Sequence, residues 1–375
     1  MPDPLSERPT QHLHYIDALR GVAIALVIMV HLAGMMHLVG FVGKLLAIGG
    51  KGVQLFYVVS ALTLMMSMKK RTYSEENPLI SFFLRRLFRI APAFYVVLLI
   101  YCFVGWHFGS GITNIQPTSP LHALIIMSFL NGWRPDVINA PVTGQWSIAV
   151  EMMFYVLLPL IFPLLTSFRR AVYAWWVSLA LYVVSYTLAV HLVSVEGFTG
   201  SQAFVHDFAY WWFPSQMPIF MIGIGLYFIV TEKLPFRRYI LPYLLGALIV
   251  SAIHHLFSNV GLLPVVGVSI LIGVVAISRN PVQLIVNPFT RFLGKISFSA
   301  YLCHPLILPL VGTIVSPLRF PNVGLRFVLS YALVLALVCP IALLMWTWIE
   351  EPCQRLGRSA IKTVNLSSSR QYQAQ

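Results

Sequence analysis

Arg20 and His31 lie eleven residues apart in the run YIDALRGVAIALVIMVH, with Asp17 close to its start. At 100° per residue, eleven steps are three turns plus about 20°, so on a helix both project from one face, roughly 16 Å apart along the axis. An imidazole so placed can take a proton from an attacking hydroxyl. The bland alternative is a satisfied core histidine. Glu151, in QWSIAVEMMFYVLLP, is the one acid of twelve that hydropathy places well inside an apolar run; Asp17 sits at an edge. Counted from Gln145, Glu151 comes roughly 9 Å below the outer surface, level with His31. A carboxylate beside an imidazole sets its tautomer and raises its basicity. The competing role for Glu151 is to neutralise a buried Arg or His. Arg85, Arg86 and Arg89, spaced RRLFR, suit either phosphates or anionic lipid. Tyr301 and His304 share one helical face and either line a donor path or pack. Trp133, Trp211 and Trp212 either stack on sugar rings or form an aromatic belt. His254 and His255 match no pattern.

Lipid is the solvent that must position these groups. The chain has 375 residues, 58% hydrophobic and only 10% charged, with mean hydropathy +0.80. A soluble domain carries about 25% charged residues. Long continuous apolar runs select helices rather than strands. The expected fold is all-α: a polytopic bundle of about ten transmembrane helices over 15–38, 52–68, 90–108, 145–166, 171–194, 211–230, 239–256, 260–278, 296–316 and 326–349. The stretch 121–131 is too short to cross, since a crossing needs about 20 residues. It reads as re-entrant or interfacial within a loop over 109–144. Residues 79–89 read as a separate basic amphipathic helix on the inner surface, ahead of Pro92. Residues 1–352 form the membrane domain, and 353–375 a polar tail, disordered at its end.

The net charge of +13 is topology signal here, not nucleic-acid binding. Basic clusters follow the second, fourth, sixth, eighth and tenth spans, which puts them and both termini in the cytoplasm. The first run lacks a cleavage site and reads as a retained span. The four cysteines show neither metal spacing nor a disulfide framework. No metal is expected.

Six blocks in order carry a resemblance: DALRGVAIALVIMVH, GVQLFYVVSALTL, RRLFRIAPAFY, QWSIAVEMMFYVLLP, LGKISFSAYLCHPLI and WIEEPCQRL. Together they resemble the acyltransferase-3 family of bacterial membrane enzymes that O-acylate cell-surface sugars. The resemblance implies an acyl-CoA donor, commonly acetyl-CoA, entering from the cytoplasm. It implies an acceptor hydroxyl on a surface or lipid-linked glycan, and a bacterial inner-membrane location. The family's first-span basic residue and histidine map onto Arg20 and His31, its basic helix onto Arg85, Arg86 and Arg89, and its motif carboxylate onto Glu151. Arg20 and the arginine cluster would grip the CoA phosphates, and the thioester would arrive beside His31. Trp146 and Ser147 belong to the same motif as Glu151.

Two departures stand out. Where relatives have Ser-Gly in the second span, this chain has Ser60-Ala61, which weakens Ser60 as an acyl-carrying nucleophile. Where they have Glu-Lys-Pro, it has Glu350-Glu351-Pro352, with Glu350 expected to cap structure. Some relatives carry an added hydrolase-like domain, and none is expected here. A proton-coupled or solute transporter with a Glu151/His31 relay and a non-enzymatic subunit of a glycan-export assembly stay open as alternatives. The acceptor sugar, acyl chain and oligomeric state are not fixed by sequence.

Overall fold

The computed structural model describes residues 11–72, 74–108, 119–195, 202–257 and 262–373. In chain order the first helices are α1 (Gln11–Met35), α2 (Gly40–Ala47), α3 (Gly52–Arg71), α4 (Pro78–Phe108), α5 (Pro120–Met127) and α6 (Gln145–Ile161). They are followed by α7 (Phe168–Val195), α8 (Gln202–Trp211), α9 (Phe213–Thr231), α10 (Phe236–Tyr239) and α11 (Leu241–Phe257). The last are α12 (Leu263–Arg279), α13 (Pro288–Lys295), α14 (Ser297–Val315), α15 (Val323–Met345) and α16 (Glu351–Gln373). Among the described residues there is no strand. Nine helical segments among them are long and apolar enough to cross a membrane, and α12 adds a shorter apolar helix of 17 residues. The chain is a polytopic helical membrane protein.

Three local expectations need correction. Residues 79–89 are not a separate surface helix: α4 runs unbroken from Pro78 to Phe108, with Pro92 inside it. Proline removes one backbone donor, but neighbouring groups in a membrane bundle re-satisfy the freed carbonyl. The last span does not stop at 349. A π-turn over Trp346–Glu350 joins α15 to α16 without a break. The tail is therefore helical through Gln373 rather than disordered at its end; its last two residues lie outside the described ones. The stretch 121–131 holds the eight-residue α5 and the start of a 3-10 turn at Leu130–Trp133, too short to cross. Residues 109–118 of the loop around it, and 260–261 of the eighth expected span, also lie outside the described residues.

The helices sort into two compact units. Unit 1 comprises Met1–Phe56, Ile80–Thr113 and Ile277–Gln375; unit 2 comprises Tyr57–Leu79 and Asn114–Ala276. In unit 1, α1 packs on α13, α14 and α15. Its contact with α13 is backbone on backbone. A Cβ added to Gly21 would run into the Thr290 carbonyl oxygen, and one added to Gly294 into that of Asp17. The two glycines thus zip the Arg20 end of α1 against α13, the close approach that small residues allow in membranes. Asn287 and Thr290 fix the start of α13 in a reciprocal capping box. Higher up, the Tyr331 hydroxyl donates to the Ala25 carbonyl at 2.9 Å, tying α15 to α1.

In unit 2, α9 packs on α6 and α7. Phe220 stacks on Phe154 (centroids 4.1 Å apart) and on Tyr57 (4.5 Å). Ala61, which follows Ser60 on α3, is fully buried. Its neighbour is Gly223 of α9, where an added Cβ would meet the Ala61 methyl and the Val58 carbonyl. At this contact the residue without a side chain is Gly223 of α9.

Candidate active site

His31 lies on α1 and His304 on α14, both in unit 1. His31 Nδ1 and His304 Nε2 are 2.7 Å apart. The ring planes differ by 5°, and the centroids are 5.0 Å apart. That centroid spacing is the nitrogen–nitrogen distance plus one ring radius at each end. The two nitrogens therefore lie on the line joining the ring centres, and the rings are coplanar and edge to edge, not face to face. This is the linear geometry a hydrogen bond prefers. His304 is fully buried, while His31 keeps partial exposure.

The rest of the His304 environment follows from its neighbour in sequence. Pro305 has no backbone N–H, so the Tyr301 carbonyl lacks its helical donor. His304 Nδ1 takes that place, 2.7 Å from the Tyr301 oxygen and 3.2 Å from that of Ala300. The Tyr301 ring is buried, tilted against the His304 ring (centroids 5.6 Å apart) and edge-on to Phe56 at 6.5 Å.

α1 is unbroken between Arg20 and His31, so the helical spacing of roughly 16 Å between them holds. Arg20 is half-buried, beside the Gly21 contact with α13. The Asp17 carbonyl lies against Gly294 of α13. Arg85, Arg86 and Arg89 are half-buried on α4, in the same unit as Arg20. Arg86 lies 5.8 Å from the Phe82 ring centre, one turn back. Glu350, expected to cap structure, sits within the continuous α15–α16 run, 4% exposed. It accepts a short hydrogen bond from Ser299 Oγ, and the Arg89 guanidinium acts on it electrostatically.

Unit 2 holds the remaining motif residues. Ser60 Oγ and Tyr155 Oη each donate to Glu151 Oε1, both at 2.6 Å. Ser147 Oγ donates to the Gly144 carbonyl at 3.0 Å, and its own carbonyl accepts from Tyr57 Oη at 3.1 Å. Trp146 stacks on Trp211 at 5.9 Å, and Trp133 meets Trp212 edge-on at 5.6 Å. In the polar loop beside them, Arg134 forks onto Asp136 at 2.9 and 2.8 Å, and His122 approaches it at 3.2 Å. The hydrogen bond from Arg134 is the main cause that holds the Asp136 carboxyl below the usual aspartate range. No group of three His, Cys, Asp or Glu among the described residues is placed to hold a metal.

Pattern reading named His304 but paired it with Tyr301 on the donor path. It missed the bond to His31, which joins two helices distant in sequence; the His-Pro dipeptide was a usable signal only for the contact of His304 with the Tyr301 carbonyl. It missed Tyr155 too, which stands one helical turn after Glu151 and was open to the i,i+4 rule. Ser299 carried no signal.

The acyltransferase-3 family model, described as an acyltransferase domain, matches residues 13–347. The chain belongs to this family of acyltransferase-domain proteins. Among its relatives, a protein named "Putative O-acetyltransferase" in Staphylococcus aureus strain MRSA252 is 24% identical over 387 residues, covering 94% of this chain and 59% of the relative. A protein of the same name in strain COL is 23% identical over 379 residues, covering 92% of this chain and 58% of the relative. The chain thus spans a little under three fifths of the length of these relatives. No solved structure matches the chain at a significant level.

Proposed function

We propose that the chain is a membrane O-acyltransferase that moves an acetyl group from cytoplasmic acetyl-CoA to a hydroxyl of a surface or lipid-linked glycan. The observation that carries this reading is the imidazole of His31. It shares a helix face with Arg20 and is bonded to a second histidine, in a chain that belongs to an acyltransferase family. Membership gives the reaction class, and the names of the relatives favour acetyl as the group and oxygen as its acceptor.

In this reading Arg20, Arg85 and Arg86 neutralise the CoA phosphates, and Arg89, under the field of Glu350, orders the cluster. The donor arm follows α1 toward His31. The acceptor oxygen attacks the thioester carbonyl carbon while His31 takes the hydroxyl proton. The carbon–sulfur bond breaks, and the proton passes to the departing thiolate. Glu151 shapes unit 2 through Ser60 and Tyr155. The Lys/Arg bias supports an inner-membrane location with both termini in the cytoplasm.

The test is mass spectrometry of surface glycans from cells carrying wild-type protein or His31→Ala at equal protein level, together with CoA release by the purified full chain given acetyl-CoA. Loss of the acetyl increment and of CoA release in His31→Ala supports the reading. Acetyl-CoA left intact by the wild type, with unchanged glycans, sinks it and favours the transporter alternative.

A further inference from the structure

We propose that His304 is a positioning residue that fixes the tautomer of His31, so that Nε2 of His31 is the atom that takes the proton. The proposal rests on the reading of His31 as base and goes further by assigning the proton-accepting atom and what sets it.

The argument starts at a proline. Pro305 deprives the Tyr301 carbonyl of its helical donor, and His304 Nδ1 sits 2.7 Å from that oxygen. A carbonyl oxygen only accepts, so His304 Nδ1 carries hydrogen. The Ala300 carbonyl at 3.2 Å makes the same demand on the same nitrogen. The other tautomer would turn a lone pair toward two oxygens. A doubly protonated His304 would be a fully buried cation, which burial in a membrane bundle makes costly. His304 is thus neutral, with a bare Nε2.

That bare nitrogen faces His31 Nδ1 at 2.7 Å, along the line of the ring centres. Two lone pairs cannot meet at this distance, so His31 Nδ1 carries the hydrogen and donates it. The neutral His31 ring then has its lone pair on Nε2, the nitrogen turned away from His304. When Nε2 receives the acceptor's proton, the Nδ1–H···Nε2 bond to His304 stays in place and strengthens, because its donor is now cationic. The chain of demands runs from proline to carbonyl to His304 to His31, and every link lies within unit 1. His304 plays toward His31 the part that a carboxylate plays in hydrolase triads, but without bringing a charge into the bilayer.

Two measurements on the full-length protein test this. The first is 15N NMR of histidine-labelled protein in nanodiscs, with His31 assigned through His31→Gln. Each ring nitrogen reports whether it bears hydrogen. We expect His31 protonated at Nδ1 and bare at Nε2; the reverse overturns the proposal whether or not the protein is active. The second is kinetics with acetyl-CoA. His304→Phe keeps the ring and removes the acceptor, and should lower kcat about 10- to 100-fold with KM for acetyl-CoA unchanged. His304→Gln offers an amide oxygen to the His31 N–H and should recover most of that loss. A raised KM with kcat intact in His304→Phe would make His304 a donor-path residue and overturn the proposal. If His304→Phe fails to fold, His304→Gln and the wild-type spectrum decide. The expected tautomer in a protein that never consumes acetyl-CoA would support the hydrogen-bond chain and sink the acyltransferase reading separately.

Discussion

The histidine pair of unit 1 and Glu151 of unit 2 are bonded in opposite ways. Unit 1 bonds an imidazole to an imidazole, with carbonyls behind. That arrangement is neutral, is satisfied at each link, and leaves one nitrogen of His31 outside the chain of bonds. Unit 2 points two hydroxyls at one carboxylate oxygen. A carboxylate so committed ties the helices that carry its donors together. The contrast teaches that depth in a bilayer does not by itself say how a buried polar group is bonded. The lone acid stands out because charges there are costly; two hydroxyls bond it, while the base proposed above is the imidazole of His31.

The sharpest way to break this comparison is to exchange the roles. His31→Gln should lower kcat by about 10²- to 10⁴-fold while leaving KM for acetyl-CoA and melting temperature near wild type. Glu151→Ala should do the reverse, removing about 1–3 kcal/mol of stability through two stranded hydroxyls with kcat per folded molecule changed far less. Purified protein in nanodiscs, assayed for CoA release and thermal unfolding, gives both numbers. A kcat loss for Glu151→Ala as deep as that for His31→Gln would erase the distinction.

The next effect concerns the frame of unit 1. Gly21→Val or Gly294→Val drives a side chain into a carbonyl of the opposing helix. Overpacking of this kind costs about 1–3 kcal/mol, and separation of α1 from α13 should also shift Arg20 and raise KM for acetyl-CoA. A stable variant with normal KM would show that the zipped contact does not hold the donor end.

Unit 2 has a smaller counterpart. Gly223→Ala should destabilise by about 1 kcal/mol or more, and adding Ala61→Gly should recover part of it, since the Ala61 methyl is one of the two groups in the way. Independent losses in the double variant would mean the two helices are not sharing one small-residue requirement.

The smallest effect is the Arg134–Asp136 fork. The folded-state value of Asp136 is depressed, so its contribution is present above the ordinary aspartate value and fades as pH falls through the lowered one. The pair is exposed, and screening keeps the gain within about 0.5 kcal/mol. Asp136→Asn should leave melting near neutral pH almost unchanged and remove the little acid sensitivity this loop has. A large loss at neutral pH would mean the fork does more than pin its own loop.

Much of the fold was legible because lipid imposes a length and a composition on each crossing. All ten expected spans correspond to apolar helices, though α12 falls short of the nine. The ends were less legible, since the signals that end helices in water do not end them here. Pro92 stood out as a break, yet α4 runs through it. The polar tail after Cys353 reads as disordered at its end, yet helix continues as far as Gln373. In the site, Arg20 and His31 could be related because they share one helix and its period. The pairing of His31 with His304 spans 273 positions and depends on how α1 and α14 face each other, which no local pattern encodes. The contact of Ala61 with Gly223 likewise depends on how α3 and α9 pack, and only the structure reveals it.

The π-turn at Trp346–Glu350 has an effect downstream. One extra residue in a helical turn advances everything after it by about 100°. Arg355, Arg358 and Lys362 therefore look in a direction that the phase of α15 would not have given them. Trp346, at the start of the turn, carries Lys295 of α13 3.8 Å above its ring centre. Deleting a single residue such as Thr347 would restore an even winding and swing the whole basic stripe of α16 round the axis like a dial reset by one notch.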